Sequence, residues 1–414
     1  MNLSTSKHQP VQAQAGPGNR PLSGAPGGGS VQPTTNWRRM LGLREMGVYY
    51  ALLLLVLVLS AVTAYTGRAN YLSLGNVTNV LYQASLVAMM AVSMTVILIT
   101  GNFDLSVASV AALAAAVMIG LADSIGFWPA ATLGVLVAMA AGLLNGAIVQ
   151  LLGINAFIVT LGTLTAIRGV VQLVTDGRSL SISNPDAIAA MQALESGRWH
   201  VAVPLLVIGA LLVVGGAAFA MRSRREGRSI ALLQIGTIVG GLVLLGLGWF
   251  GGSELSVQKP VIYMAIFAAV IWFVLTFTAT GRRVYAVGGN PEAARLSGIN
   301  VKRYKMAGFI LCSGTAGVAG VLFGSRLGAI NPTAMQGGEL TVIASAILGG
   351  TSLFGGAGSV VKTLAGTLLL FTMTNGFNIL NLGANYQGVI EGTVIVTAAA
   401  IYTVGGSRRS RKAR

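Results

Sequence analysis

Charge is scarce in this sequence. Only 9% of its 414 residues are Asp, Glu, Lys or Arg, where soluble domains carry roughly 25%, and the shortage excludes an ordinary water-soluble globule. Acids are rarer than bases, 11 against 27, which leaves a net charge of +16. The single cysteine, Cys312, excludes an internal disulfide and sits in an apolar run as a small core residue. Two histidines, His8 and His200, stand too far apart in sequence for metal-ligand spacing. No G-x-x-x-x-G-K-[ST] occurs, so the chain does not hydrolyse nucleotide through a loop of that kind.

Apolar residues fill the space left by charge. They make up 54% of the chain, mean hydropathy is +0.75, and apolar runs of about 20 residues recur, enough to cross a bilayer as helices. The pattern predicts an all-α polytopic membrane protein of about 12 transmembrane helices. The expected spans lie near 48–66, 77–100, 104–121, 128–152, 155–174, 201–221, 229–250, 260–280, 306–325, 338–353, 358–376 and 385–404. Residues 1–36, rich in Gly, Pro, Ser and Gln, read as a disordered tail. Residues 37–280 hold the first eight spans and 306–405 the last four; a charged island occupies 281–305 and a basic tail 406–414.

The basic residues cluster between spans rather than along one face, which speaks against nucleic acid as a partner. With both termini on the cytoplasmic side, 21 of the 27 basic residues fall inside, as the positive-inside rule expects. The outlying six are Arg68, Arg168, Arg178, Arg198, Lys259 and Arg326.

The island, GRRVYAVGGNPEAARLSGINVKRYK, has six basic residues and one acid, Glu292. Within it Asn290 suits an N-cap, Pro291 a first helical position, Glu292 the positive helix end and Gly298 the stop, so a short helix is expected across Glu292, Ala293 and Ala294. A short ordered helix on the cytoplasmic face, introduced by Gly289, is suited to docking another protein; the plainer alternative is an ordinary positive-inside loop. Gly314, Gly317, Gly320 and Gly324 line one span, as close helix packing in lipid requires.

Two segments share residue types at a constant displacement of 230: Asn145-Gly146, Gly153, Asn155, Gly162 and Thr163 recur as Asn375-Gly376, Gly383, Asn385, Gly392 and Thr393. In the expected topology the two run in opposite directions, the mark of an inverted repeat, here spans 2–5 and 9–12. Glycine and asparagine at those span ends favour broken helices that line a cavity. Asn145, Asn155, Asn375, Asn378 and Asn385 are neutral donors and acceptors suited to hydroxylated substrates, although helix capping is the alternative for each. Asp104, Glu339 and Glu391 lie at or near membrane depth and are functional candidates, the first two also being placed to stabilise helix N-termini.

Several motifs resemble one family. GNFDLSVAS (101–109), FIVTLGT (157–163), VYAVGGNPEAARLSGINV (284–301), ELTVIASAILGGTSLFGGAGSV (339–360) and TNGFNILNLGANYQGVIEGTVIV (374–396) are similar to the permease subunits of bacterial ABC importers for simple sugars, of the ribose, xylose, arabinose and galactose type. The third holds Glu292, Ala293, Ala294 and Gly298 of the EAA-x-x-x-G signature with which such permeases meet their ATPase. The chain departs from the pattern at Asn102, Phe103, Ala108, Ala156 and Glu391, the last at a place where many members carry lysine. Residues 177–259 add two spans, a length that resembles the xylose-type permeases.

The resemblance implies a transporter subunit of the bacterial inner membrane, not an enzyme, and no cofactor in this chain. ATP and magnesium would sit on a tandem-cassette ATP-binding partner that grips residues 289–294 and 298. A second permease copy would complete the path, and a periplasmic sugar-binding protein would deliver the substrate, a monosaccharide such as a pentose. Phe157 and Thr160 join Asp104, Glu339, Glu391 and the asparagines as candidates for the path. The competing expectation is a secondary transporter driven by protons through Glu391, Asp104 or Glu339; a non-transporting scaffold fits the asparagine-rich breaks less well.

Overall fold

The computed structural model describes residues 43–67, 70–225, 232–252 and 255–381, with 388–389 and 392–393 beyond them. The helices in chain order are α1 (Leu43–Tyr65), α2 (Leu74–Ile99), α3 (Val107–Ile125), α4 (Phe127–Leu151), α5 (Ala156–Val174), α6 (Pro185–Glu195), α7 (Ala202–Arg225), α8 (Leu232–Gly251), α9 (Lys259–Phe277), α10 (Ala279–Gly289), α11 (Pro291–Leu296), α12 (Val301–Leu327), α13 (Gly338–Leu348) and α14 (Val360–Ile379). Four very short strands, β1 (Leu180–Ser181), β2 (Arg198–His200), β3 (Ser256–Gln258) and β4 (Ala329–Ile330), pair antiparallel as β1–β4 and β2–β3. Ten of the described helices are long and apolar enough to cross a membrane, and α13 is a shorter apolar helix. Apart from residues 388–389 and 392–393, the expected twelfth span, 385–404, lies outside the described residues, as do the two tails.

The core is built on backbone proximity. A Cβ placed on Gly320 of α12 would sit 2.0 Å from the Ala111 carbonyl oxygen of α3, and one on Gly134 of α4 would sit 2.6 Å from the Ala114 oxygen. A Cβ on Gly142 of α4 would sit 2.7 Å from the Phe309 carbonyl oxygen of α12, and one on Gly317 of α12 would sit 3.2 Å from the Val135 Cα of α4. Three helices therefore touch main chain to main chain. Lipid tails are as apolar as leucine, so dispersion at such close range, rather than burial from water, holds them together. Polar side chains add cross-links around this centre: Thr95 of α2 and Thr363 of α14 approach to 2.6 Å, and Asn375 of α14 donates to Asn76 of α2 at 2.9 Å. Tyr71 donates to the Thr372 carbonyl at 2.9 Å, and burial pushes its phenol up to about 12, so it remains a neutral donor.

Three expectations need correction. The helices run unbroken through Asn145-Gly146 and Asn375-Gly376; those glycines receive neighbours, Gly146 facing Met306 and Phe309 and Gly376 facing Leu59. The short helix is α13 instead, which ends at Gly349-Gly350, far earlier than a full span. The short helix expected in the island is present as α11, but the island itself is narrower than 281–305: α10 precedes α11, and Lys302, Arg303 and Lys305 already belong to α12.

Both expected extra spans are present as the hairpin α7–α8. It packs chiefly on itself, with Gly209 against Gly241, Gly216 against Ile238 and Gly248 against Leu206. The β2–β3 ladder closes its base.

Filling the central contact should be costly. We expect Gly320→Val to lower stability in detergent by about 3 kcal/mol or more, the upper end of overpacking effects. Gly240→Val, where a Cβ meets nothing within 4 Å, should shift it by less than about 0.5 kcal/mol. Thermal unfolding of the purified variants compares the two.

Candidate functional site

Three groups of candidate residues occupy three levels of the bundle. At the island end, α11 forms as its residues dictate. Asn290 Oδ1 accepts from the Ala293 amide at 3.0 Å, Pro291 takes the first helical position, and Glu292 pairs with Arg295 at 3.0 Å on the surface. Gly298 takes φ +79, a left-handed conformation that closes the helix, with Ile299 N–H donating to the Ala294 carbonyl at 3.0 Å. Only Ala294 of this helix is buried. Gly289, Asn290, Pro291, Glu292, Ala293 and Gly298 are exposed, and Leu296 is 85% exposed although apolar. This ordered helix thus shows a leucine and a carboxylate to the outside.

Deeper in the bundle lies a buried polar cluster. Asp104 is completely buried. It precedes α3, within a turn, rather than standing in the first turn of a span. Its Oδ1 accepts from the Ser106 amide at 2.8 Å and the Ser106 hydroxyl at 2.6 Å, while Ser313 of α12 reaches Oδ2 at 3.3 Å. Asn145 of α4 donates to the Ser106 hydroxyl at 2.9 Å. The N-terminus of α3 lies beside the carboxylate and offsets part of the cost of burying it. The cluster thus pins α3, α4 and α12 at one level, and Asp104 and Asn145 act together there.

The remaining path candidates diverge. Asn155 caps α5 by accepting from the Phe157 amide at 2.8 Å, and it is exposed. Phe157, 46% exposed, sets its ring edge-on to Phe103 at 6.0 Å between centroids. Thr160 is buried and bonds back to the Ala156 carbonyl of its own helix. Asn375 is buried against Asn76, whereas Asn378 is exposed in the last turn of α14. Glu339 stands in the first turn of α13, as expected for an acid at a helix start, within electrostatic reach of Arg168 of α5. Arg168 also donates to the Pro332 and Ala334 carbonyls at 3.4 and 2.7 Å. Asn385 and Glu391 lie outside the described residues.

A third group escaped the sequence reading. Glu195, at the end of α6, is 1% exposed and meets Arg326 of α12 at 2.7 Å. Tyr82 of α2 donates to the same carboxylate oxygen, and the guanidinium stacks 3.8 Å from the centre of its ring. The triad locks α6 onto α2 and α12 at the end opposite the island. Arg326 gave a signal, a lone base near the end of an apolar span; nothing local distinguishes Glu195 as its partner.

Among the described residues no group of three or more His, Cys, Asp or Glu could hold a metal.

The family model for branched-chain amino acid transport system / permease component matches residues 76–399. The chain is 32% identical over 369 residues to the xylose transport system permease protein of Escherichia coli K12, covering 86% of this chain and 92% of that protein. It is 32% identical over 367 residues to the ribose import permease protein of the same strain, with 87% and 94% covered. To its D-allose transport system permease protein it is 30% identical over 359 residues, with 86% and 91% covered. No solved structure matches the chain.

Removing one member of the buried ion pair strands the other. Glu195→Gln should cost about 3 kcal/mol, within the range for breaking buried pairs. Replacing both charges together, Glu195→Leu with Arg326→Met, should recover more than half of that loss. Unfolding midpoints of the single and double variants test this.

Proposed function

We propose that this chain, which belongs to the branched-chain amino acid transport system / permease component family, is the membrane-spanning subunit of an ATP-driven sugar importer in the bacterial inner membrane. Its work is conduction and not catalysis. Within that reading the substrate is a monosaccharide, with a pentose favoured by the length pattern shared with xylose-type permeases. Relatives named for xylose, ribose and allose, each matched over more than nine-tenths of its length, support the sugar class.

The observation that carries the mechanism is α11. Its cap, its glycine stop and its outward Glu292 and Leu296 make a rigid knob beyond the last buried turn. A cytoplasmic ATPase with two nucleotide-binding cassettes would grip this knob on each of two permease copies, and a periplasmic binding protein would deliver the sugar at the other end. ATP and magnesium act on the ATPase. What this chain supplies is a stiff handle at one end and a bundle that can repack between them. Both termini then lie in the cytoplasm. The inverted repeat belongs to the same reading: α4 ends toward the island, α14 ends away from it, and such halves support alternating access. The path would run along α5, where Asn155 and Phe157 are uncovered in a single chain, with Glu339 facing it from α13. Asp104 and Asn145 hold the wall behind it.

Vesicles containing the permease, with the ATPase and binding protein supplied or withheld, should take up labelled D-xylose, D-ribose or D-allose only when both partners and ATP are present. Glu292→Lys should insert normally and reduce coupled uptake to background, since it reverses the knob's one negative charge. Uptake that persists without ATPase and collapses with an uncoupler would favour the proton-driven alternative.

A further inference from the structure

Three segments of backbone meet where the island joins the bundle. They are the end of α2 at Ile99–Gly101, the end of α10 at Gly288–Gly289, and the loop between α13 and α14 at Gly355–Gly356. The Gly356 N–H donates to the Ile99 carbonyl at 2.9 Å, satisfying one of the free carbonyls at the end of α2. A Cβ on Gly288 would fall 1.6 Å from that same carbonyl oxygen and 2.7 Å from the Gly356 nitrogen. Gly355, at φ +88, passes so close that its Cβ would lie 2.7 Å from the Gly288 oxygen; Gly356, at φ +73, would meet the Gly289 Cα at 2.8 Å. Beside the node, the Tyr285 hydroxyl of α10 donates to the Gly358 carbonyl at 2.9 Å.

We propose that this glycine node is the joint through which movement of α11 reaches α2 and α14, with Gly288 and Tyr285 as positioning residues for coupled transport. The inference rests on the reading of α11 as the ATPase handle. Asn290, the cap of α11, follows Gly289 directly, so no slack separates the handle from α10. On its other side α11 leads into α12 within four residues, which moves that helix through the chain itself. Neither α2 nor α14 is continuous with the island. The node links both to the end of α10 with no side chain intervening, main chain pressing on main chain. Contacts of this kind transmit displacement because no rotamer can absorb it. The node also joins the two halves of the proposed repeat, since α2 belongs to one and α14 to the other.

The test uses the complete transporter in vesicles, with a mixture of labelled D-xylose, D-ribose and D-allose as probe. Three quantities are read: retention of the ATPase, its rate of hydrolysis, and sugar imported per ATP. Gly288→Ala should retain and run the ATPase as the parent does, while ATP spent per sugar rises roughly tenfold, a typical coupling loss. Tyr285→Phe, which removes only a hydroxyl, should raise it about two- to fivefold, the scale of one hydrogen bond. An unchanged ratio in both variants overturns the joint. So does loss of the ATPase from Gly288→Ala, which would mark the node as structural support for the docking surface. Should Gly288→Ala not accumulate, Tyr285→Phe alone decides. Glu292→Lys reports on the underlying reading separately: if it keeps both the ATPase and coupled uptake, the handle is misassigned whatever the node does.

Discussion

Close approach of backbones is the constraint on which the rest of the molecule depends. In a bilayer the apolar surface of a helix gains little by leaving lipid for protein, so association has to come from contact density. Glycine supplies it here. Gly134, Gly142, Gly317 and Gly320 let α3, α4 and α12 share space that a single methyl group would fill. The buried polar cluster can exist only because of this. Ser313 reaches Asp104, and Asn145 reaches Ser106, across helices already in main-chain contact. In a low-dielectric interior such bonds are strong when complete and expensive when not, which ties the polar chemistry to the glycine geometry.

The same principle separates the two ends of the bundle. At the end far from the island, long side chains do the joining: Glu195, Arg326 and Tyr82 span the gap between α6, α2 and α12. At the island end main chain touches main chain at Gly288 and Gly356. Side chains can exchange partners and rotamers as helices shift, whereas apposed backbones move as one body. In the importer proposed above, the rigid end would receive force and the more adaptable end would meet a delivered solute.

Much of this was legible in the chain. The short helix α11 follows from Asn290, Pro291 and Gly298, because caps and stops are local chemistry and local chemistry is written in neighbouring residues. Close packing of α12 followed from the spacing of Gly317, Gly320 and Gly324, and capping, the role Asn155 takes, was the alternative open to each asparagine. The failures share a cause. Asn145 and Asn375 looked like helix ends because asparagine and glycine often are; they lie within helices, where their side-chain N–H groups donate to partners distant in sequence, Ser106 and Asn76. Glu195 was invisible because its partner lies on another helix. The early end of α13 was hidden because apolarity continues past Gly349-Gly350 while the helix does not. Sequence periodicity records what a segment prefers alone and is silent about what approaches it.

The hairpin α7–α8 leads in a different direction. Its glycines close on each other and the β2–β3 ladder seals its foot, while the rest of the described chain covers little of it. A unit that completes its own packing asks nothing of its host. It can be gained or discarded in a single evolutionary step, without refitting the glycine seams elsewhere. Descent can therefore change the girth of such a permease while the rest of its bundle stays untouched.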